Sequence, residues 1–197
     1  MKIAVDVGGT FTDIVAVSDG EVFVGKTPTT PKNISQGFLK AVKMATNSFQ
    51  DVDEIVHGTT VVLNSLLVGQ GPQTALITTK GFRDVLEIMR ADRKDLFDLS
   101  QTKPKPLIPR DRCLELDERI SASGEIIFPL ESSEINAIIT KLKQLKIESV
   151  AICLLFSFLD PSHEILVGKA IANEIPGISI SLSHEVLPLY REYERTS

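Results

Sequence analysis

Two aspartates and two threonines surround a pair of glycines near the start of the chain. The segment of residues 5–13 reads Val-Asp-Val-Gly-Gly-Thr-Phe-Thr-Asp. Carboxylate oxygens are ligands that Mg²⁺ prefers, and this ion keeps several of its waters when a protein binds it. Threonine hydroxyls can donate hydrogen bonds to phosphate oxygens. We therefore predict a loop for a nucleotide phosphate and a divalent cation, formed by Asp6, Gly8, Gly9, Thr10, Thr12 and Asp13.

The two glycines have a chemical reason to stand in such a loop. Glycine adopts backbone angles closed to other residues and lets the main chain approach a ligand closely. Consecutive N–H groups of a turn can form a concave anion-binding site. Phosphoryl transfer requires mainly positioning and charge neutralisation, which these residue types supply. The alternative is a hairpin whose turn is glycine-rich for geometric reasons alone.

Two other nucleotide-binding motifs are excluded by the residues that follow. A dinucleotide-binding fold needs Gly-x-Gly-x-x-Gly at the opening of a helix, whereas β-branched residues here continue as a strand. A P-loop needs Gly-Lys-Ser or Gly-Lys-Thr, and the sequence contains neither.

A second candidate group reads His57-Gly58-Thr59-Thr60 and stands between a predicted strand and a predicted buried helix at 61–68. Helix N-termini attract anions, so the threonines could bind phosphate or a substrate carboxylate. Asn64 lies about one turn further on and could face the same cleft. A helix cap with a packed histidine explains these residues equally well. The candidate substrate-binding residues are His57, Thr59, Thr60 and Asn64.

Hydrophobic periodicity predicts the elements that position these residues. The first part of the chain predicts a three-stranded antiparallel meander, with Asp19-Gly20 as its second turn. Apolar residues at helical spacing then predict a helix that begins near Ile34. The predicted strands are 3–7, 11–17, 21–25, 54–57 and 74–78, and a further helix is predicted to run from Gly81 to Met89.

The second half predicts a different subdomain. Residues 90–112 are rich in charge and proline and predict an exposed connector. Beyond it, strands alternate with helices, which predicts an α/β class with a mixed sheet. The predicted domains are 1–89 and 113–197. The predicted elements are strands 113–120, 125–128, 149–156 and 178–182, helices from Ser132 or Ser133 and from Pro161 to Glu174, and a surface helix at 192–195.

Composition narrows the functional classes. The chain has 197 residues, a formal net charge of −5 and no long basic run, so we expect no nucleic-acid partner. No apolar run is long enough to cross a membrane, and the chain begins directly with a predicted strand, which predicts a cytoplasmic protein. The two cysteines, Cys113 and Cys153, are predicted to be buried free thiols. His163 and His184 lack the spacing of zinc ligands.

With these features in place, the first hairpin resembles the first phosphate motif of the actin, sugar-kinase and Hsp70-like ATPases. This resemblance implies a ribonuclease H-like ATPase hairpin within the mixed sheet. Further segments resemble the A-type subunit of the hydantoinase/oxoprolinase family. These segments are His57-Gly58-Thr59-Thr60 with Asn64, and residues 75–88, 154–164, 181–188 and 191–197.

The family resemblance implies ATP-driven activation of a carbonyl oxygen with Mg²⁺. A cyclic amide would be phosphorylated and then opened by water, with a separate B-type hydantoinase subunit or domain as partner. Asp6 and Asp13 would be the catalytic and metal-binding residues, and Gly8, Gly9, Thr10 and Thr12 would contact phosphate. A ketone-type substrate, as for the ATP-using subunit of acetone carboxylase, stays open.

Two other classes of function stay open from the sequence. A small-molecule kinase would use the same hairpin and leave phosphate on its product. A non-catalytic lobe would serve as a scaffold or a partner-binding piece. Because family members continue into a core domain with a second Asp-x-Gly-Gly-Thr segment, we expect this chain to be the N-terminal part of a longer protein.

Overall fold

The computed structural model of the chain describes residues 1–69, 71–90, 95 and 97–197. The chain divides into two compact units, Met1–Gly71 and Pro72–Ser197. The sequence instead predicts a first subdomain that extends to residue 89. The strand at Thr74–Thr79 explains the difference, because it hydrogen-bonds in parallel to two strands of the later unit.

The first unit is built on a four-stranded mixed sheet. Its strands are β1 (Lys2–Val7), β2 (Phe11–Ser18), β3 (Glu21–Pro28) and β4 (Glu54–Thr59), in the order β3-β2-β1-β4. The first three form the predicted antiparallel meander, and β4 lies parallel to β1. Helix α1 (Ile34–Ala45) covers one face, where it packs against alternate residues such as Ile3, Val5 and Ile14.

The second helix of this unit, α2 (Val61–Val68), differs from its prediction. The sequence predicts a buried helix, but none of its residues is buried. Leu67 is 77% exposed and Val62 is 72% exposed. A helix that is apolar all round gives no amphipathic signal to show which side a neighbour covers. The prediction of a helix is therefore confirmed, and the prediction of its burial is wrong within the described residues.

The second unit contains a parallel sheet and a small hairpin. The sheet has the order β10-β9-β5-β6, formed by β5 (Thr74–Thr79), β6 (Cys113–Leu116), β9 (Ser149–Cys153) and β10 (Ser179–Leu182). The hairpin pairs β7 (Arg119–Ile120) with β8 (Ile126–Phe128). The helices are α3 (Val85–Ile88), α4 (Ser132–Gln144), α5 (Ser162–Glu174), α6 (Ser183–Val186) and α7 (Glu192–Thr196).

Helices and loops cover both faces of the parallel sheet. On one face, α4 and α5 bury their apolar residues against Ile77, Val150 and Ile152. On the other face, Leu76 and the two free cysteines pack together with Leu86, which belongs to α3. Strands buried on both faces read as continuous apolar runs, which is why the sequence located β5 and β9 well.

Three predicted elements of this unit end earlier than the sequence suggested. The strand predicted at 113–120 is two strands in two sheets, because the chain turns at Glu118, whose N–H donates to the carbonyl of Leu116. The strand predicted at 149–156 stops at Cys153, ahead of Phe156, whose φ is 57°. The helix predicted to run from Gly81 to Met89 keeps only the residues of α3. Residues 97–109 contain no helix or strand.

Charged groups are buried at the carboxyl edge of the parallel sheet. Glu164 is fully buried and accepts from the Leu154 N–H, the Ser183 hydroxyl and the His184 ring. Arg195 is also buried, so the prediction that 192–195 forms only a surface helix is wrong for this side chain. Within the described ranges, no helix has the length and apolarity required to cross a bilayer.

Candidate functional site

The predicted phosphate loop is the tight hairpin between β1 and β2. Asp6 and Asp13 are directly opposite each other in the antiparallel register, so their side chains lie on the same face of the sheet. This is the face away from α1, because the residues that flank Asp6 on β1, Val5 and Val7, are buried beneath that helix. The fold therefore brings together two carboxylates that are seven positions apart in the sequence.

Close packing, and not backbone conformation, accounts for the two glycines. Neither Gly8 nor Gly9 has a positive φ, so neither adopts the left-handed conformation that favours glycine. A Cβ at Gly8 would lie 2.9 Å from the carbonyl oxygen of Phe11, and a Cβ at Gly9 would lie 2.8 Å from the Asn64 side-chain nitrogen. A larger residue at Gly8 would therefore collide with the hairpin's own backbone, and one at Gly9 would require the Asn64 side chain of α2 to move.

Free backbone donors lie at the tip of the hairpin. The Gly8 N–H donates to the Phe11 carbonyl at 2.9 Å and closes the turn. In the part of the chain that the structure describes, the N–H groups of Gly9 and Thr10 donate no hydrogen bond. Two consecutive unsatisfied N–H groups form the kind of site that accepts an anion.

The two threonine hydroxyls are in different environments. Thr10 is exposed at the tip, where its hydroxyl is available to a ligand. Thr12 is fully buried, and its hydroxyl lies 3.0 Å from that of Thr29. Thr29 also donates to the Gly8 carbonyl at 2.9 Å. In this structure Thr12 therefore contacts the residue that supports the loop, and only Thr10 faces outward.

The two carboxylates differ in their partners. Lys26 lies opposite Asp13 on β3 and forms an ion pair with it at 2.8 Å. Both side chains are about half exposed, and such surface pairs contribute only about 0–1 kcal/mol, so a ligand could displace the pair at low cost. Among the described residues, the Asp6 carboxylate has no hydrogen-bond or ion-pair partner.

Three of the four predicted substrate-binding residues contact the hairpin between β1 and β2. The Thr59 hydroxyl donates to the Val7 carbonyl at 3.1 Å, and the Thr60 N–H donates to the same oxygen at 3.2 Å. Asn64 lies one turn into α2, donates to the Thr60 hydroxyl at 3.3 Å and approaches Gly9. The start of α2 and the phosphate loop therefore form one continuous surface.

His57 is separated from this surface. Its register partner on β1 is Val5, so its side chain lies on the face that α1 covers. There its ring packs edge-on against the Phe38 ring, with centroids 5.2 Å apart. The alternation of side chains along a strand places Gly58, the next residue, on the face of Asp6. A Cβ at Gly58 would lie 3.4 Å from the Asp6 carboxylate.

Sequence reasoning missed two residues that shape the loop, Thr29 and Lys26. Their positions follow from the register of β3 on β2, in which Thr12 faces Thr27 and Asp13 faces Lys26. Counting back from the Asp19-Gly20 turn would have identified Lys26 as the partner of Asp13. Thr29 follows the end of β3, and no sequence pattern marked its contact with Gly8.

The donor set at this site fits a cation that keeps most of its own shell. No cluster of three or more His, Cys, Asp or Glu side chains suitable for a metal occurs in the described ranges. Asp6 and Asp13 supply two carboxylates, and Mg²⁺ commonly binds through one or two carboxylates together with water and substrate phosphates. The site thus suits hydrated Mg²⁺ with a phosphate and lacks the ligands of a closed protein cage.

Comparisons with known proteins agree with the segments noted in the sequence. The family model described as the hydantoinase/oxoprolinase N-terminal region matches residues 2–175. The gamma subunit of acetophenone carboxylase from Aromatoleum aromaticum is 37% identical, with 99% of this chain and 30% of that protein covered. The alpha subunit of caprolactamase from Pseudomonas jessenii is 32% identical, with 100% and 30% covered.

Solved structures agree in fold as well. A nucleotide-free acetone carboxylase structure superposes with a TM-score of 0.84 at 25% identity, covering all of this chain and 31% of that one. The crystal structure of the ATP-dependent caprolactamase from Pseudomonas jessenii gives a TM-score of 0.84 at 29% identity. The chain spans about 30% of the length of these relatives. It belongs to the hydantoinase/oxoprolinase family, of which it carries the N-terminal region.

Proposed function

We propose that this chain is the phosphate-binding region of an ATP-dependent enzyme that activates a carbonyl oxygen by phosphorylation. One observation carries the proposal: two facing carboxylates, Asp6 and Asp13, stand beside two unsatisfied N–H groups at the tip of a glycine hairpin. The sheet order β3-β2-β1-β4 with α1 on one face supports a ribonuclease H-like ATPase fold.

Each residue has a role that follows from its position. The N–H groups of Gly9 and Thr10 and the Thr10 hydroxyl bind phosphate oxygens of ATP. Asp6 and Asp13 hold hydrated Mg²⁺, which neutralises phosphate charge when bound. Thr12 holds the loop through Thr29, so we assign it a positioning role. Thr60 and Asn64 form the adjoining wall, where they contact the carbonyl substrate.

A cyclic amide is the substrate class that we propose first. The amide oxygen attacks the γ-phosphorus and ADP leaves. Water then adds to the activated carbon, the carbon–nitrogen bond breaks to open the ring, and the phosphate stays on the new carboxyl group as an acyl phosphate. A second water cleaves this acyl phosphate and releases phosphate and the ring-opened acid. The 32% identity to the caprolactamase alpha subunit over the whole chain supports this class. We further propose a B-type subunit or domain as partner and the cytoplasm, which supplies ATP, as location.

A ketone carboxylase is the second candidate. The 37% identity to the acetophenone carboxylase gamma subunit over 99% of the chain favours it. Both candidates use ATP on a carbonyl oxygen, so the phosphate loop serves either. They differ in the substrates that must be present for ATP to be consumed. Ring opening requires a lactam alone, whereas carboxylation requires bicarbonate together with a ketone.

The test uses the whole native polypeptide that contains residues 1–197. Titration calorimetry with Mg-ATP is expected to show that Asp6→Asn and Asp13→Asn each weaken binding about tenfold or more, since each removes a charge facing the cation. Asp19→Asn is the matched control, because Asp19 is an exposed aspartate at the next hairpin turn of the same sheet. Equal affinity in all three variants, or no binding by the native protein, would contradict the proposal.

Product analysis separates the reaction classes. Ring opening releases ADP, phosphate and a ring-opened acid in equal amounts. A small-molecule kinase would yield a phosphorylated product and no free phosphate, and a non-catalytic lobe would consume no ATP with any substrate.

A further inference from the structure

A cavity in the second unit lies outside the carboxyl ends of the parallel strands. Its volume is about 460 Å³. Residues that follow β5, from Phe82 to Arg90, form one side, and Leu155 and Phe156, which follow β9, form another. The chain between Tyr190 and Tyr193 completes it. No part of the candidate phosphate site contributes to this cavity.

The topology of the sheet makes this position distinctive. From β5 the chain proceeds to β6 on one side, and later to β9 and β10 on the other. The helix after β5 packs on one face of the sheet, through Leu86, and the helix after β9 packs on the opposite face, through Val167 and Ile171. The ends of β5 and β9 therefore form a topological switch point, where open α/β sheets bind ligands.

The charge of the cavity wall is positive and partly uncompensated. Glu192 is held by Arg195 at 2.6 Å, and Glu194 is held by Arg90 through a pair of hydrogen bonds, one of them at 2.9 Å. Arg119 and Arg191 also line the cavity. Across the described ranges neither of these two forms an ion pair, although Arg119 stacks over the Phe82 ring at 5.2 Å.

The rest of the lining is apolar or aromatic. Two guanidinium groups above such a surface suit a molecule with an anionic head and an apolar body. Inorganic phosphate would leave most of the 460 Å³ unfilled. The apolar and aromatic side chains include Phe82, Ile88, Leu155, Phe156, Tyr190 and Tyr193.

The wall after β9 is held in place by buried polar contacts. The Leu155 N–H donates to the Thr79 hydroxyl at 3.0 Å, and that hydroxyl in turn binds Glu118. Arg195 donates to the Leu154 carbonyl at 2.6 Å. These contacts link the ends of β5 and β9, so this wall of the cavity is preorganised and a ligand need not order it on binding.

Backbone conformation marks the same cavity. Within the described residues, five non-glycine residues have positive φ, and three of them, Met89, Phe156 and Arg191, line this cavity. Such conformations persist only where the surroundings over-determine them, and they cluster at ligand sites.

We propose that the second unit binds a small organic carboxylate in this cavity, with Arg119 and Arg191 as the groups that bind the carboxylate. The site is separate from the phosphate loop and does not depend on the function proposed for it.

The test measures binding of benzoate to the whole native polypeptide by titration calorimetry and saturation-transfer NMR, without nucleotide. Benzamide has the same shape without the charge, and inorganic phosphate has the charge without the ring. We expect benzoate to bind at least about tenfold more tightly than benzamide, because a charged hydrogen bond at such a site has that effect. We expect a similar advantage over inorganic phosphate, because only benzoate buries a ring against the apolar lining.

Variants locate the site. Arg119→Gln and Arg191→Gln are each expected to weaken benzoate binding about tenfold, and Ile88→Trp is expected to abolish it by filling the cavity. Arg112→Gln is the matched control, since Arg112 is half-buried like Arg119, contacts Gln73 and does not line the cavity. Thermal unfolding reports whether each variant folds. If Arg119→Gln does not fold, Arg191→Gln still tests the proposal, because Arg191 is exposed. Four results would each overturn the proposal. They are equal binding of benzoate and benzamide, tight binding of phosphate alone, benzoate binding that no variant weakens, and no binding of benzoate at all.

Discussion

The two units bury their polar and apolar groups in contrasting ways. In the second unit the parallel sheet is covered on both faces, and charged side chains such as Glu118 and Glu164 are enclosed with partners. In the first unit one face of the sheet exposes a group of valines, and α2 has no buried residue. The exposed valines are Val15, Val17, Val22, Val24 and Val56.

This contrast shows that an apolar sequence means different things in the two units. In the second unit the apolar runs identify the core. In the first unit the apolar runs identify surfaces that no described residue covers. These surfaces lie next to the carboxylates of the candidate phosphate site. Contiguous exposed apolar surface commonly marks an interaction site. Stability in this chain should therefore depend much more on the second unit.

The largest expected effect comes from a buried carboxylate of the second unit. Glu164→Ala should lower the free energy of unfolding by about 3–5 kcal/mol, because it leaves buried hydrogen-bond donors unsatisfied. Glu174→Ala, at an exposed position of the same helix with Lys143 as its partner, should cost less than about 1 kcal/mol. Urea denaturation measures both, and similar losses would mean that the polar network does not stabilise this unit.

Two leucines test the contrast in apolar burial. Leu142 of α4 is fully buried, whereas Leu67 of α2 is 77% exposed. Leu142→Ala should cost about 2–5 kcal/mol, and Leu67→Ala should change stability by no more than about 0.5 kcal/mol. The denaturation midpoints of the 197-residue chain provide the comparison. A large effect of Leu67→Ala would show that α2 is packed in solution.

A smaller effect is expected at the hairpin tip. Gly9→Ala would place a Cβ 2.8 Å from the Asn64 side-chain nitrogen, and because that amide can rotate away, we expect a cost of about 1 kcal/mol. Asn64→Ala removes the obstacle, so the double variant should recover most of the loss. A double-mutant cycle in urea measures this coupling. Additive effects would show that the hairpin and α2 are not in contact.

The smallest expected effect concerns alkaline pH and Cys153. Burial raises the pKa of the Cys153 thiol, so this thiol stays protonated in the folded chain while the unfolded chain ionises. The contribution of the Cys153 thiol to the free energy of unfolding is fully present below about pH 8.5, the pKa of an unperturbed thiol. That contribution is lost as the pH rises through the higher pKa of the folded state. Cys153→Ala should therefore lose less stability than the native chain between pH 7 and pH 10. An identical pH dependence in both proteins would contradict this expectation.

Local patterns predicted most of the secondary structure. Alternation and turn residues identified β1, β2, β3 and the hairpin of β7 and β8, and helical spacing identified α1, α4 and α5. The boundary between units at residue 71 was not predictable, because β5 pairs with residues that occur 37 and 75 positions later in the chain, and no local sequence pattern indicates that pairing.

The sequence predicted the residue types of the candidate site more accurately than their positions in the structure. The facing of Asp6 and Asp13 follows from hairpin register, which the sequence does allow one to count. The burial of Thr12 and the contact of His57 with Phe38 depend on where α1 packs. Both residues have types that suit a ligand, and the structure shows each one engaged in packing.

The sequence by itself determined the family, the hairpin and the residue types that a phosphate and a cation require, because all of these lie in short local patterns. Only the tertiary structure decided which of those residues face outward. Side chains alternate between the two faces of a sheet, and the packing of a helix on one face determines which set is buried. Tertiary structure also decided that the ends of β5 and β9 adjoin and form a second cavity, because that juxtaposition comes from strand order.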